Sequence, residues 1–257
     1  MRFILKITIF TFITIIFSFT SLSANDQSIN KSFRAHEAIY DLNIGKITNS
    51  SKIHNALGQM HLTVKEVCDG WVVNQNTTVD ITDKNGSQIR NLYRYSSWES
   101  KENDLFRFIS KVIINDEEII TFEGKSSKKN NRAEVEYIKP HNKVIEIPIE
   151  TLYPMQHFFT ILNKDLTDKF INSIVFTGED DESLNSVTTF IRDRINNYKL
   201  IRSANFAYND IVSKPKNEIE ILVNSEDGIV HKVIFDYFEY EIIGLLKEYN
   251  FIEKPDC

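Results

Sequence analysis

Residues 71–97 read WVVNQNTTVDITDKNGSQIRNLYRYSS, and this stretch decides the fold class. Trp71–Thr82 is rich in β-branched residues, Asn85-Gly86 is a turn dipeptide, and Ile89–Ser97 follows as a returning strand. β-Branched side chains are stiff at χ1 and fit a pleated, half-buried surface. Asn-Gly between two such runs predicts a two-residue type I′ hairpin, because both central residues then need positive φ.

The same pattern extends in both directions. Upstream, Ala38–Ile44 alternates, and Ala56–Val67 sets Leu57, Leu62, Val64 and Val67 among polar residues. Downstream, Leu105–Ile114 and Glu118–Gly124 pair around Asn115-Asp116, and Ala133–Ile138 and Lys143–Ile147 pair around Pro140. Thr151–Leu166 breaks the run: Leu152, Met155, Phe158, Phe159 and Leu162 recur at helical spacing. Pro154 suits a first helical turn, so one short amphipathic helix is expected near 153–166, packed on a curved sheet. Strands resume at Ser173–Thr177, Ser186–Ile195, Lys199–Tyr208 and Glu218–Val223. Asp227-Gly228 then turns into one long strand, Ile229–Ile243, whose apolar parity changes near Asp236–Phe238 and predicts a β-bulge there. There is neither a repeat nor a Pro/Gly/Ser linker, so the expectation is mainly β: antiparallel strands wound as a barrel or open barrel in a single domain over 34–257.

Residues 1–24, MRFILKITIFTFITIIFSFTSLSA, have the three parts of a secretory signal peptide: basic Arg2 and Lys6, an apolar run Ile7–Phe19, and small residues ending at Ala24. An uncleaved anchor helix is the competing reading. Cleavage after Ala24 takes the 257 residues to 233 and, by removing two bases and no acid, the net charge from −6 to −8. Residues 25–33 are polar and expected to be disordered. The acidic balance, 36 acids against 30 bases, argues against a nucleic-acid partner. An outer-membrane barrel is disfavoured because polar residues break most strands.

Export alters the meaning of Cys68 and Cys257. In an oxidising compartment two thiols pair by default, with free thiols or an intermolecular link as alternatives. No C-x-x-C occurs, and two cysteines are too few for a cysteine-based zinc site. Catalytic motifs are absent: the glycines are too dispersed for a phosphate loop, and neither G-x-S-x-G nor H-E-x-x-H occurs. His157 is the notable histidine, either a general base lacking any named partner or a packed ring at a helix–sheet contact. The acidic run Glu179–Glu182 reads as a solvated turn rather than a cation loop, having no D-x-[DN]-x-[DN]-G spacing. Lys125–Arg132 reads as a basic hairpin tip, with peripheral membrane contact at most. Trp71, Trp98, Phe106 and Phe108 alternate on predicted strands, as core or as the lining of a ligand or interaction site. No catalytic residue, metal or cofactor is expected.

Several segments in order resemble the EipB family of periplasmic cell-envelope-integrity proteins of Gram-negative bacteria. They include Glu37–Asn43 (EAIYDLN), Cys68–Gln75 (CDGWVVNQ), Trp98–Phe108 (WESKENDLFRF), Ile147–Phe158 (IPIETLYPMQHF), Val175–Gly178 (VFTG) and the closing Pro255-Asp256-Cys257. The resemblance spans about residues 34–257. It implies a β-spiral, an incomplete barrel with one helix, and a disulfide carried here by Cys68 and Cys257. It also implies a non-enzymatic periplasmic role in envelope integrity through a protein partner, a tetratricopeptide-repeat protein being the expected type. The alternative is a periplasmic carrier that holds a lipid-like or other apolar ligand in a half-open barrel.

Overall fold

In the computed structural model, residues 33–164, 170–209 and 214–257 are described, except for the side chains of 193–195. The expected signal peptide and residues 25–32 lie outside them, as do positions 165 and 166 at the expected end of the helix. Phe33, the last residue of the stretch expected to be disordered, is instead buried, with its ring 5.4 Å from Trp71 and 5.3 Å from Phe159.

The described residues form one antiparallel sheet of fourteen strands. The first eight are β1 (His36–Ile47), β2 (Ile53–Val67), β3 (Gly70–Asp83), β4 (Gln88–Ser100), β5 (Leu105–Ile114), β6 (Glu117–Lys129), β7 (Arg132–Lys139) and β8 (Lys143–Ile147). Helix α1 (Pro154–Asn163) follows. The remaining strands are β9 (Phe170–Phe176), β10 (Leu184–Ile195), β11 (Tyr198–Ala207), β12 (Asn217–Asn224), β13 (Val230–Asp236) and β14 (Tyr240–Phe251). Each half of the chain is a meander of neighbouring hairpins, and the two meanders join where β1 pairs with β14. β8 and β9 are the two ends of the sheet, so the barrel is not closed.

The sheet coils so that one end lies inside the other. The end of β9 meets the concave face of the first meander: Phe176 lies 5.5 Å from Phe108 ring to ring, and Tyr95 Oη donates to the Thr177 carbonyl at 2.8 Å. Beyond it, Ser110 Oγ donates to the Glu179 carbonyl at 2.6 Å. Gly178 makes this inward bend possible. Its φ is +71°, and a Cβ there would sit 2.3 Å from Phe108 Cγ, so both backbone and space require glycine.

Turns fall where the sequence predicts them, with two differences. The Asn85-Gly86 turn has positive φ only at Gly86, and Gly86 N–H donates to the Asp83 carbonyl, giving a three-residue loop rather than a type I′ turn. Positive φ at both central residues occurs instead at Asn115-Asp116 and at Asn130-Asn131, the latter in the basic hairpin tip. The expected long strand Ile229–Ile243 is two strands, β13 and β14, folded into a tight hairpin. Phe238 takes φ 68°, its N–H donates to Asp236 Oδ1, and Phe235 faces Ile242 across the pair. The parity change is therefore a chain reversal, not a bulge.

α1 is expected to be marginal on its own, being ten residues long with neither a side-chain N-cap nor charges matched to its ends. The sheet supplies both. The N–H groups of Met155 and Gln156 donate to the Glu99 carboxyl on β4, each at 2.8 Å. At the other end the Lys199 ammonium on β11 donates to the carbonyls of Leu162 and Lys164. An acid at the N-terminus and a base at the C-terminus complement the helix dipole. The apolar stripe of α1 (Met155, Phe159, Leu162) packs with Phe33, Val64, Trp71 and Ile201. A second cluster, centred on Phe106, Phe108, Tyr153 and Phe176, fills the adjoining interior.

Candidate functional site

The coil is filled along only part of its length. Beyond the helix and the aromatic cluster lies a cavity of about 440 Å³. Leu42 of β1, Met60 of β2, Val79 of β3, Val112 of β5, Ile219 of β12, Phe235 of β13 and Ile242 of β14 supply an apolar wall. Where a strand supplies more than one lining residue the positions alternate, as in Gln75, Thr77 and Val79 of β3 or Asn217 and Ile219 of β12, so one face of the strand turns inward. The rest of the lining is polar: Gln75, Thr77, Asn91, Tyr93, Asn217 and Tyr237, with Glu179 and Asp180 from the loop after β9.

Glu179 is the chemically distinctive member. Its side chain is exposed to solvent where it lines the cavity, and atoms of the coiled sheet crowd around it. Enclosure pushes the carboxyl up to about 7, and the neighbouring Asp180 charge adds to the rise. Tyr93 and Thr177 partly oppose that shift. The Tyr93 hydroxyl is itself buried and makes no hydrogen bond of good geometry, and burial together with the Glu179 charge drives its pKa far up. Tyr237 at the β13–β14 turn is likewise pushed to about 12 by enclosure. The fifteen lining residues include two acids and no Lys, Arg or His.

Cys68 and Cys257 form a disulfide, with Cα atoms 5.8 Å apart across 189 residues of chain. The bridge ties the tail beyond β14 to the β2–β3 turn, spanning the junction of the two meanders. Trp71, Phe106 and Phe108 point into the coil as core: Trp71 packs on α1, and Phe106 stacks on Tyr153 at 4.8 Å. Trp98 is not with them. It lies on the outer face of β4, with the Arg107 guanidinium 5.2 Å from its ring and Gly70 beneath it. His157 packs on the helix with Nε2 buried and without a hydrogen-bond partner, and burial pushes the imidazole down to about 4. None of the five lines the cavity.

The acidic run is the exposed turn the sequence suggests, and it borders the cavity: Asp180 Oδ1 accepts from the Glu182 N–H at 2.9 Å, and Glu179 and Asp180 line the cavity. Among the described residues, no three or more His, Cys, Asp or Glu side chains are grouped to hold a metal ion, and no helix is long and apolar enough to cross a membrane. The other raised carboxyl, Glu99 at about 7, is occupied in capping α1.

A family profile described as EipB-like matches residues 27–221. Among solved structures, the chain is similar to a β-barrel-like protein of a domain of unknown function from Brucella abortus. The TM-score is 0.79 at 18% identity, over 86% of this chain and 99% of that one. A search of curated proteins finds no match.

Proposed function

The chain belongs to the EipB-like family, a periplasmic family, and from that premise we propose that it is an exported, non-enzymatic protein that supports cell-envelope integrity by binding a protein partner. A tetratricopeptide-repeat protein is the partner type this reading expects. The observation that supports it is the free edge of the sheet. Among the described residues β8 pairs only with β7, and Val144 on it is 62% exposed beside Ile138 at 52%. An unpaired edge with exposed apolar side chains is a template for strand addition by an extended segment. The test is complementation: a deletion strain sensitised to detergent is given wild-type protein or Val144→Lys/Ile138→Lys. The reading expects the double variant to fold and be exported but to rescue poorly. Full rescue would sink the edge as the working surface.

A second reading, a carrier of a ligand with an apolar chain, is favoured by the cavity. Its volume lies in the range of roughly 300–1,000 Å³ usual for small-molecule sites, and seven of its fifteen lining residues are apolar. Mass spectrometry of protein purified from the periplasm without detergent tests it. A stoichiometric bound amphiphile is expected, and ligand-free protein would count against it.

A further inference from the structure

Resting on the carrier reading, we propose that the cavity selects amphiphiles with a primary ammonium head, seated at Glu179, Asp180 and Tyr93, and an aliphatic chain laid along the Leu42–Ile242 wall. Three observations converge on it. The charged groups in the lining are both carboxyls, with no base to offset them, so an anionic head would be repelled and a cation attracted. Two phenol rings, Tyr93 and Tyr237, line the same space, and aromatic rings attract a cation that sits over them. The buried Tyr93 hydroxyl faces the Glu179 carboxyl, and its oxygen can accept from a bound N–H. A primary ammonium carries three donors, which match acceptors on these three side chains better than a quaternary head with none. The remaining wall, Leu42, Met60, Val79, Ile219 and Ile242, is aliphatic and suits an alkyl chain.

Binding should be linked to protons. The groups that act on Glu179 are Asp180 and Thr177 on its own segment, Tyr93 and Tyr95 on β4, and Tyr237 on the β13–β14 turn, none of them a cation. In the empty cavity its carboxyl is raised to about 7, and a bound ammonium would pull it down and displace a proton. Affinity should therefore rise from pH 6 to pH 8.

The experiment is calorimetry on the oxidised full-length mature protein with decylammonium, decanol and decyl sulfate, each below its micelle concentration. We expect decylammonium to bind at least tenfold tighter than decanol, and decyl sulfate weakest. Glu179→Gln should bring decylammonium to the decanol level and abolish the pH dependence, with an unchanged near-UV circular dichroism spectrum showing that the variant is folded. Equal binding of decylammonium and decanol, indifferent to Glu179→Gln, would overturn the ammonium head and leave the carrier reading standing. Tightest binding by decyl sulfate would overturn it too, and no binding by any of the three would end both readings. Trileucine amide, an amine on branched peptide side chains, should bind more weakly than decylammonium; the opposite order would overturn the alkyl chain.

Discussion

Replacing Cys257 by serine removes the one covalent tie in the described chain, and its cost can be worked out. The bridge closes a loop of 189 residues, for which the chain-entropy model gives about 5 kcal/mol. Native contacts of the tail are few. Ile252 N–H donates to the Ala35 carbonyl at 2.8 Å, and Lys254, 74% exposed, lies 3.8 Å from Glu66. The ten register positions that pair β1 with β14 do not involve the tail. The loss should thus fall mainly on the unfolded state, leaving the native sheet intact. Removing a native disulfide usually costs ~2–5 kcal/mol, less than the model limit because unfolded chains retain structure. For a chain of this size that is a fall in melting temperature of roughly 4–20 °C. The assay is urea unfolding followed by the fluorescence of buried Trp71, comparing oxidised wild type, reduced wild type and Cys257→Ser. The last two should coincide and keep the native near-UV circular dichroism. A variant within ~1 kcal/mol of oxidised wild type would refute the loop argument. Loss of the native spectrum would show that the bridge holds the β1–β14 junction itself.

Two further predictions concern buried titrating groups. Glu99 is 2% exposed and its carboxyl is raised to about 7, so folding favours its protonated form. Stability should decline as pH rises from about 4.5 through 7, by ~3 kcal/mol from this group, and Glu99→Gln should remove that part of the decline between pH 5 and pH 8. An unchanged pH profile in the variant would contradict the buried cap. His157 has the opposite sign: burial lowers it to about 4, so the fold favours the neutral ring. Acidification from 6.5 towards 4 should cost ~3 kcal/mol, recovered in His157→Leu, as urea titrations at pH 4.5 and 7 would show. Equal acid sensitivity in the variant would rule out the buried imidazole as the cause.

The strands were legible wherever alternation and local turn chemistry agreed, as at Asn115-Asp116 and Asn130-Asn131. The β13–β14 hairpin was not, because Tyr237-Phe238-Glu239 contains no Gly, Asn or Pro and places an aromatic residue at positive φ. α1 could be read from its apolar spacing and Pro154, but its caps could not: Glu99 precedes Met155 by 56 residues, and Lys199 follows Leu162 by 37. The disulfide needed only a count of cysteines and a compartment. Glu179 was hidden for a different reason. An acidic run after glycine looks the same whether it faces open water or a cavity, and only the coiling of β9 inside the first meander brings Glu179 and Asp180 to the cavity. Trp71, Phe106 and Phe108 alternate as lining residues would, but they fill the closed end, and the hollow end is lined by other aromatic residues, Tyr93, Phe235 and Tyr237, among aliphatic and polar side chains.

The claim on which the binding readings rest is that this end of the coil is hollow, and filling it is the direct test. Val112 lines the cavity of about 440 Å³, room enough for an indole. Val112→Trp should unfold in urea within ~1 kcal/mol of wild type and lose decylammonium binding, whereas a packed interior would make the same substitution cost ~1–3 kcal/mol. A destabilised Val112→Trp that still bound the amine would contradict the account.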